Sequence, residues 1–150
     1  MALNRDLREF IGLLNSHKVE FLIVGAHALA YHGLPRYTKD IDLFIATSEP
    51  NAAALLDVIQ EFGFASTGLQ AEDFLAPEIV IQLGIEPNRI DLLTGLSGIV
   101  WEEAWSDRVS GSLDGLPVEF ISKECYIKNK LASARPQDLA DVARLRQINP

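Results

Sequence analysis

A single cysteine, Cys125, occurs in 150 residues, so no disulfide can close within the chain and no thiolate cluster is available for zinc or iron–sulfur binding. That usage fits a reducing compartment, and the cytoplasm is the expected location. No apolar run approaches the ~20 residues needed to cross a bilayer. The start, Met1-Ala2-Leu3-Asn4-Arg5-Asp6, lacks the apolar core of a signal peptide. A soluble intracellular protein with no membrane partner is expected. Basic residues are also few, 13 Lys and Arg against 21 Asp and Glu, for a net charge of −8. That balance disfavours broad adhesion to nucleic acid or to anionic lipid. The chain has no Walker loop, no serine elbow and no zinc-ligand spacing.

What is there suffices for one domain spanning 1–150. A 48% hydrophobic content excludes a largely disordered chain. Leu3, Leu7, Phe10, Ile11 and Leu14 recur at helical spacing, and Phe21–Val24 reads as a buried strand. A short helix over Ala26–Tyr31, a strand over Asp40–Ala46 and a helix over Asn51–Phe62 closed by Gly63 follow. Residues 63–77 read as a mobile loop. Ile79–Leu83 and Arg89–Leu93 read as strands around the turn Glu86-Pro87-Asn88. A short helix spans Ile99–Trp105, and Asp114-Gly115 turns a hairpin between Val109–Leu113 and Leu116–Ile121. Ser122 caps a helix to Ala134, and Pro136 opens the last one, to about Gln147. The fold class is α+β (mixed α/β), one mixed sheet with helices packed against it.

The chemistry concentrates in Asp40-Ile41-Asp42-Leu43-Phe44-Ile45. Alternate residues of a strand share a face, so Asp40 and Asp42 point one way and Ile41, Leu43 and Ile45 the other. At ~3.3 Å rise per residue their Cα atoms lie about 6.6 Å apart. Two charges at about 6 Å and an effective dielectric of ~20 repel by about 3 kcal/mol. A divalent cation is the simplest compensation; two solvated acids on an edge strand are the bland alternative. Asp91, alone in the apolar Arg89–Leu93 strand, is the best third carboxylate, provided its strand lies beside Asp40–Ala46. Upstream, Val24-Gly25 followed by a helix makes a backbone-amide site for anions. Bases cluster as Arg36 with Lys39, and as Lys123, Lys128, Lys130 and Arg135. Such patches on an acidic body suit a small polyphosphate better than a long duplex. His27 and His32 stand about 140° apart on a helix, a poor zinc pair. Trp101 and Trp105 read as core, as does Cys125.

These residues resemble the nucleotidyltransferase superfamily, the DNA polymerase β-like fold. The likeness rests on Val24-Gly25-Ala26, Asp40-Ile41-Asp42 and the later Asp91. Small bacterial members, the abortive-infection-type and antibiotic-modifying nucleotidyltransferases, are closer. They carry segments similar to Gly25-Ala26-His27-Ala28, Arg36-Tyr37-Thr38-Lys39 and Lys130 to Asp141. The resemblance runs from about residue 19 to 146. It implies transfer of a nucleoside monophosphate from an NTP to an acceptor hydroxyl on tRNA, protein or a small molecule, with release of pyrophosphate. It implies one or two Mg²⁺ held by Asp40, Asp42 and Asp91, and nucleotide contacts from Gly25, Ala26, His27, Arg36, Thr38, Lys39 and Lys130. Arg135, Asp138 and Asp141 match the family too and are read as structural, Arg135 pairing with both acids. Many relatives have Gly-Ser or Gly-Gly where this chain has Gly25-Ala26. Ala26 cannot donate from its side chain, so His27 or backbone amides would have to substitute. A catalytically silent nucleotide-binding or interaction module of the same fold therefore stays open, as does a protein whose aspartates are incidental. A toxin–antitoxin role, with an antitoxin partner or a homo-oligomer, is compatible with the resemblance.

Overall fold

Two parallel strand pairs set the frame of this protein. In the computed structural model, which describes residues 3–38, 40–63, 68–84 and 89–148, six strands form one mixed sheet. They are β1 (Phe21–Val24), β2 (Asp40–Ile45), β3 (Val80–Leu83), β4 (Arg89–Leu93), β5 (Val109–Leu113) and β6 (Leu116–Phe120). Their spatial order is β3-β4-β2-β1-β6-β5. β2 runs parallel to β4, and β1 parallel to β6; the remaining neighbours are antiparallel. The mixed α/β reading holds.

The central strands carry the apolar runs because both their faces are covered. All four residues of β1 are buried, as are Ile41, Leu43, Phe44 and Ile45 of β2. Helix α1 (Arg5–Ser16) buries Leu7, Phe10, Ile11 and Leu14, the stripe that its spacing predicts, and packs on α3 (Glu49–Phe62). The start of α3 falls two residues earlier than expected, because the Ser48 side chain accepts the Asn51 amide and Pro50 tolerates the first turn. Gly63 closes it in the left-handed region, at φ 112°. Asn51 is buried at the seam. Its Oδ1 accepts from the Glu20 amide at 2.7 Å, and its Nδ2 donates to the carbonyls of Glu20 and Ala46 at 3.1 and 2.8 Å. The start of α3 is thereby tied to the residue before β1 and the residue after β2.

The expected mobile loop is partly structured. Ala71–Phe74 forms a 3₁₀ turn, with the Gln70 amide donating to Asp73 Oδ2 at 2.8 Å, and Phe74 is wholly buried. A single large aromatic anchors the segment, a signal that the lack of period concealed. Residues 64–67 and the turn Glu86-Pro87-Asn88 lie outside the described residues.

The hairpin turns where expected: Asp114 and Gly115 both take positive φ, 50° and 80°, matching the twist of β5 and β6. Short α2 (Gly25–Tyr31) leaves β1 directly, and α4 (Trp101–Ser106) sets Trp101 edge-on against Phe44 at 5.1 Å. Ser122 caps α5 (Lys123–Ser133), whose end at Ala134 is left-handed and hands the chain to α6 (Pro136–Ile148), packed against α5. Among the described residues, no helix is long and apolar enough to cross a membrane.

Candidate active site

Strand register brings the acids together. β2 and β4 pair with Asp40 opposite Arg89 and Asp42 opposite Asp91, so all four side chains share one face. Val24 lies opposite Asp42 on the other flank, and Gly25 follows it. The acids therefore gather at the sheet end where β1 stops and β2 and β4 begin.

Gly25 decides where Asp42 sits. At φ +65°, a β-carbon on residue 25 would lie 2.1 Å from Asp42 Oδ2. The glycine serves the carboxylate first; the tight turn comes with it. Asp42 and Asp91 stand side by side in the strand register. Burial, followed by the charges of Asp91 and Asp40, pushes the Asp42 carboxyl up to about 6, with Lys130 opposing the shift.

A cation already stands among the acids. Arg89 Nη2 meets Asp40 Oδ2 at 2.7 Å, and the same guanidinium reaches both oxygens of Asp91 at 3.2 Å. Among the described residues, no three carboxylate, imidazole or thiolate groups stand close enough to clasp one ion. The expected trio shares a face and a strand end, but two of its members, Asp40 and Asp91, hold a guanidinium between them. Nothing in the Arg89-Ile90-Asp91 triplet singled Arg89 out; the i,i+2 spacing that places it beside Asp91 on one face was the available signal.

The donor set nonetheless fits a hard divalent cation. Buried Asp40 Oδ1 and Asp91 Oδ1 accept no hydrogen bond, and half-buried Asp42 adds a third carboxyl on the same face, so every donor offered is oxygen.

Beside the acids opens a cleft of about 280 Å³, lined by Gly25, Ala26, Arg36, Asp42, Lys130 and residues from α5 and α6. Gly25, Ala26, Arg36 and Lys130, four of the residues expected at the nucleotide, thus meet in one cleft. Lys130 is half-buried, 5.4 Å from the Tyr126 ring centroid, and burial lowers its pKa while the nearby acids oppose that. Arg36 is bidentate to Asp141, with Nη1 at 3.0 Å from Oδ2. Asp138 takes Arg135 Nε at 2.8 Å and the Ser133 hydroxyl at 2.8 Å, and these partners hold its carboxyl at about 2 despite burial. Arg135 and Asp138 therefore pair as expected, whereas Asp141 turns to Arg36. Arg135, Asp138 and Asp141, read as structural, line the cleft as well. Gln137 and Tyr126, not singled out in the sequence, line it too; the spacing of 137, 138 and 141 on one turn of α6 was the overlooked signal.

Two residues expected at the nucleotide stand elsewhere. His27 is 5% exposed and faces a separate pocket with Tyr31, Ser112 and Phe120, its pKa lowered by burial. It is directed away because α2 turns it from the Gly25–Ala26 edge. The Thr38 hydroxyl hydrogen-bonds the backbone of Asp40, donating to its carbonyl at 3.1 Å, and so starts β2 rather than lining the cleft. Lys39 lies outside the described residues.

An acid-bearing mixed sheet beside a cation-walled cleft is the frame of a nucleotidyltransferase fold. The family model described as "nucleotidyl transferase of unknown function (DUF2204)" matches residues 3–150, and the chain belongs to that family. Its fold is similar to the crystal structure of a "putative nucleotidyltransferase" from Thermotoga maritima, with a TM-score of 0.54 and 16% sequence identity. That likeness covers 95% of this chain and 89% of the other. A comparison with curated proteins finds no match.

Proposed function

We propose that this protein is a metal-dependent nucleotidyltransferase, moving a nucleoside monophosphate from an NTP to an acceptor hydroxyl. The observation that carries the proposal is the register pairing of Asp42 with Asp91, beside a glycine whose missing side chain makes room for the Asp42 carboxylate. A purely structural pair of strands gains nothing from stacking carboxyls side by side there, since each buried like charge costs stability.

Asp40, Asp42 and Asp91 are the residues that would hold one or two Mg²⁺. When bound, the metal supplies neutralisation of the triphosphate charge and a more acidic acceptor hydroxyl. The chain's own groups do the rest. Lys130, half-buried on the cleft wall, meets the phosphates as a point charge. Arg36 and Arg135 extend the cationic wall, each held in place by a buried acid. Gly25 and Ala26 present backbone to the ligand, so the missing hydroxyl at residue 26 removes one donor and leaves the amides. The acceptor oxygen bonds to the α-phosphorus, the bond from that phosphorus to the pyrophosphate oxygen breaks, and Asp91 takes the hydroxyl proton.

The test is incubation with α-labelled NTPs and Mg²⁺ in the presence of tRNA, protein and small-molecule pools. Label should appear in one pool and disappear with EDTA and in Asp42→Ala of intact fold. Nucleotide binding without label in any pool would instead identify a silent binding module.

A further inference from the structure

The pairing of Arg-x-Asp on β4 with Asp-x-Asp on β2 has an electrostatic consequence. Parallel register sets Arg89 directly beside Asp40 and, two residues on, Asp91 beside Asp42. One fixed positive charge is thus placed among three acids at the end of a sheet. Its guanidinium spans two carboxylates on different strands, at 2.7 Å to Asp40 and 3.2 Å to Asp91. The side chains involved are 30%, 22% and 10% exposed, so water screens these contacts only partly.

Arginine cannot shed its proton in this setting, so its charge cannot be switched off. The guanidinium engages Asp40 Oδ2 and both Asp91 oxygens, so an ion shared by these two carboxylates would stand against its charge. A divalent cation coordinating the two acids must displace it. A bare ion offers the displaced guanidinium no new partner. A metal–triphosphate does, because phosphate oxygens accept the same planar, bidentate contact that the carboxylates give up.

We propose that Arg89 is a resident counter-cation which suppresses binding of bare metal and couples metal entry to arrival of the nucleoside triphosphate. It holds the acids in place in the unloaded protein and becomes a phosphate ligand in the loaded one. This rests on the three acids being the metal site. Arg89 is a positioning residue in the first state and contacts substrate in the second. The Lys130–Arg36 wall is a separate contribution, since Arg36 is already bound to Asp141.

Titration calorimetry with Mn²⁺, alone and with an α,β-methylene NTP analogue, tests it on the whole chain. Wild type should bind bare Mn²⁺ weakly and bind it at least tenfold tighter when the analogue is present. Arg89→Gln should bind bare Mn²⁺ about tenfold tighter than wild type and lose most of the gain from the analogue. Arg89→Lys keeps the charge but cannot span both carboxylates. It should fall between the two, and it serves if the glutamine variant does not fold by circular dichroism. Bare-metal affinity unchanged or weakened in both variants would overturn the inference while leaving the metal site standing. Equal Mn²⁺ binding by wild type and Asp42→Asn, with or without analogue, would overturn the metal site itself, and the inference with it.

Discussion

The carboxylate of Asp42 fills the space that a side chain on Gly25 would need, with Oδ2 2.1 Å from the position of the missing β-carbon. The β1–α2 turn and the central acid of β2 are therefore one structural unit, although Gly25 and Asp42 lie 17 positions apart in the chain.

Gly25→Ala tests that unit. The new β-carbon and the positive φ together should cost about 2 kcal/mol, measured by urea unfolding. A displaced carboxylate should also lower nucleotidyl transfer by about a hundredfold, read from labelled product. A variant that unfolds like wild type and retains transfer would separate the two residues.

The pH dependence of stability should carry the signature of Asp42. Its carboxyl titrates at about 6 in the folded protein against 3.8 in the unfolded chain, so between those values the native state holds the extra proton. Stability then falls as pH rises through that window, by about 3 kcal/mol in metal-free buffer. Urea midpoints measured across it in EDTA should show this fall. Asp42→Asn should flatten it, and Mg²⁺ should restore stability at the upper end.

The Arg36–Asp141 pair should respond asymmetrically to truncation. Asp141 is 3% exposed, while the Arg36 side chain is 38% exposed. Arg36→Ala leaves a buried carboxylate with Gln137 as its remaining side-chain partner, at 2.8 Å, and should cost about 3 kcal/mol. Asp141→Asn keeps acceptor and shape and leaves the arginine access to water, so about 1 kcal/mol is expected. Thermal or chemical denaturation of the two variants in parallel decides it.

Asn51→Ala should destabilise by about 2 kcal/mol, because the Glu20 amide and the Ala46 carbonyl lose their Asn51 partner, while the Glu20 carbonyl keeps the Ala46 amide at 3.3 Å. Nucleotide binding, followed by calorimetry, should be unchanged when measured well below the midpoint, since Asn51 lies outside the cleft.

The elements were legible wherever local chemistry acts alone. Alternation in Asp40–Ile45, the Ser122 cap, the Asp114-Gly115 turn and the Gly63 stop each follow from side-chain geometry over a few residues. The 3₁₀ turn at Ala71–Phe74 was hidden because one buried phenylalanine makes no period. The site was half legible. The three acids stand out by type and spacing and Lys130 by the family resemblance, but the partner of Arg36 is 105 residues away on α6, and no local pattern names it.

Sequence by itself determined which residues can share a face: the acids on one side of β2, and Arg89 with Asp91 on one side of β4, because a pleated strand alternates regardless of its neighbours. The tertiary structure decided that β4 lies parallel to β2 in the register that sets Asp91 beside Asp42 and Arg89 beside Asp40. It also decided that α6 folds back to seat Asp141 against Arg36, and that α2 turns His27 away. Strand order and register arise from the burial of whole faces summed over the sheet, and that sum is not carried by any short stretch of chain.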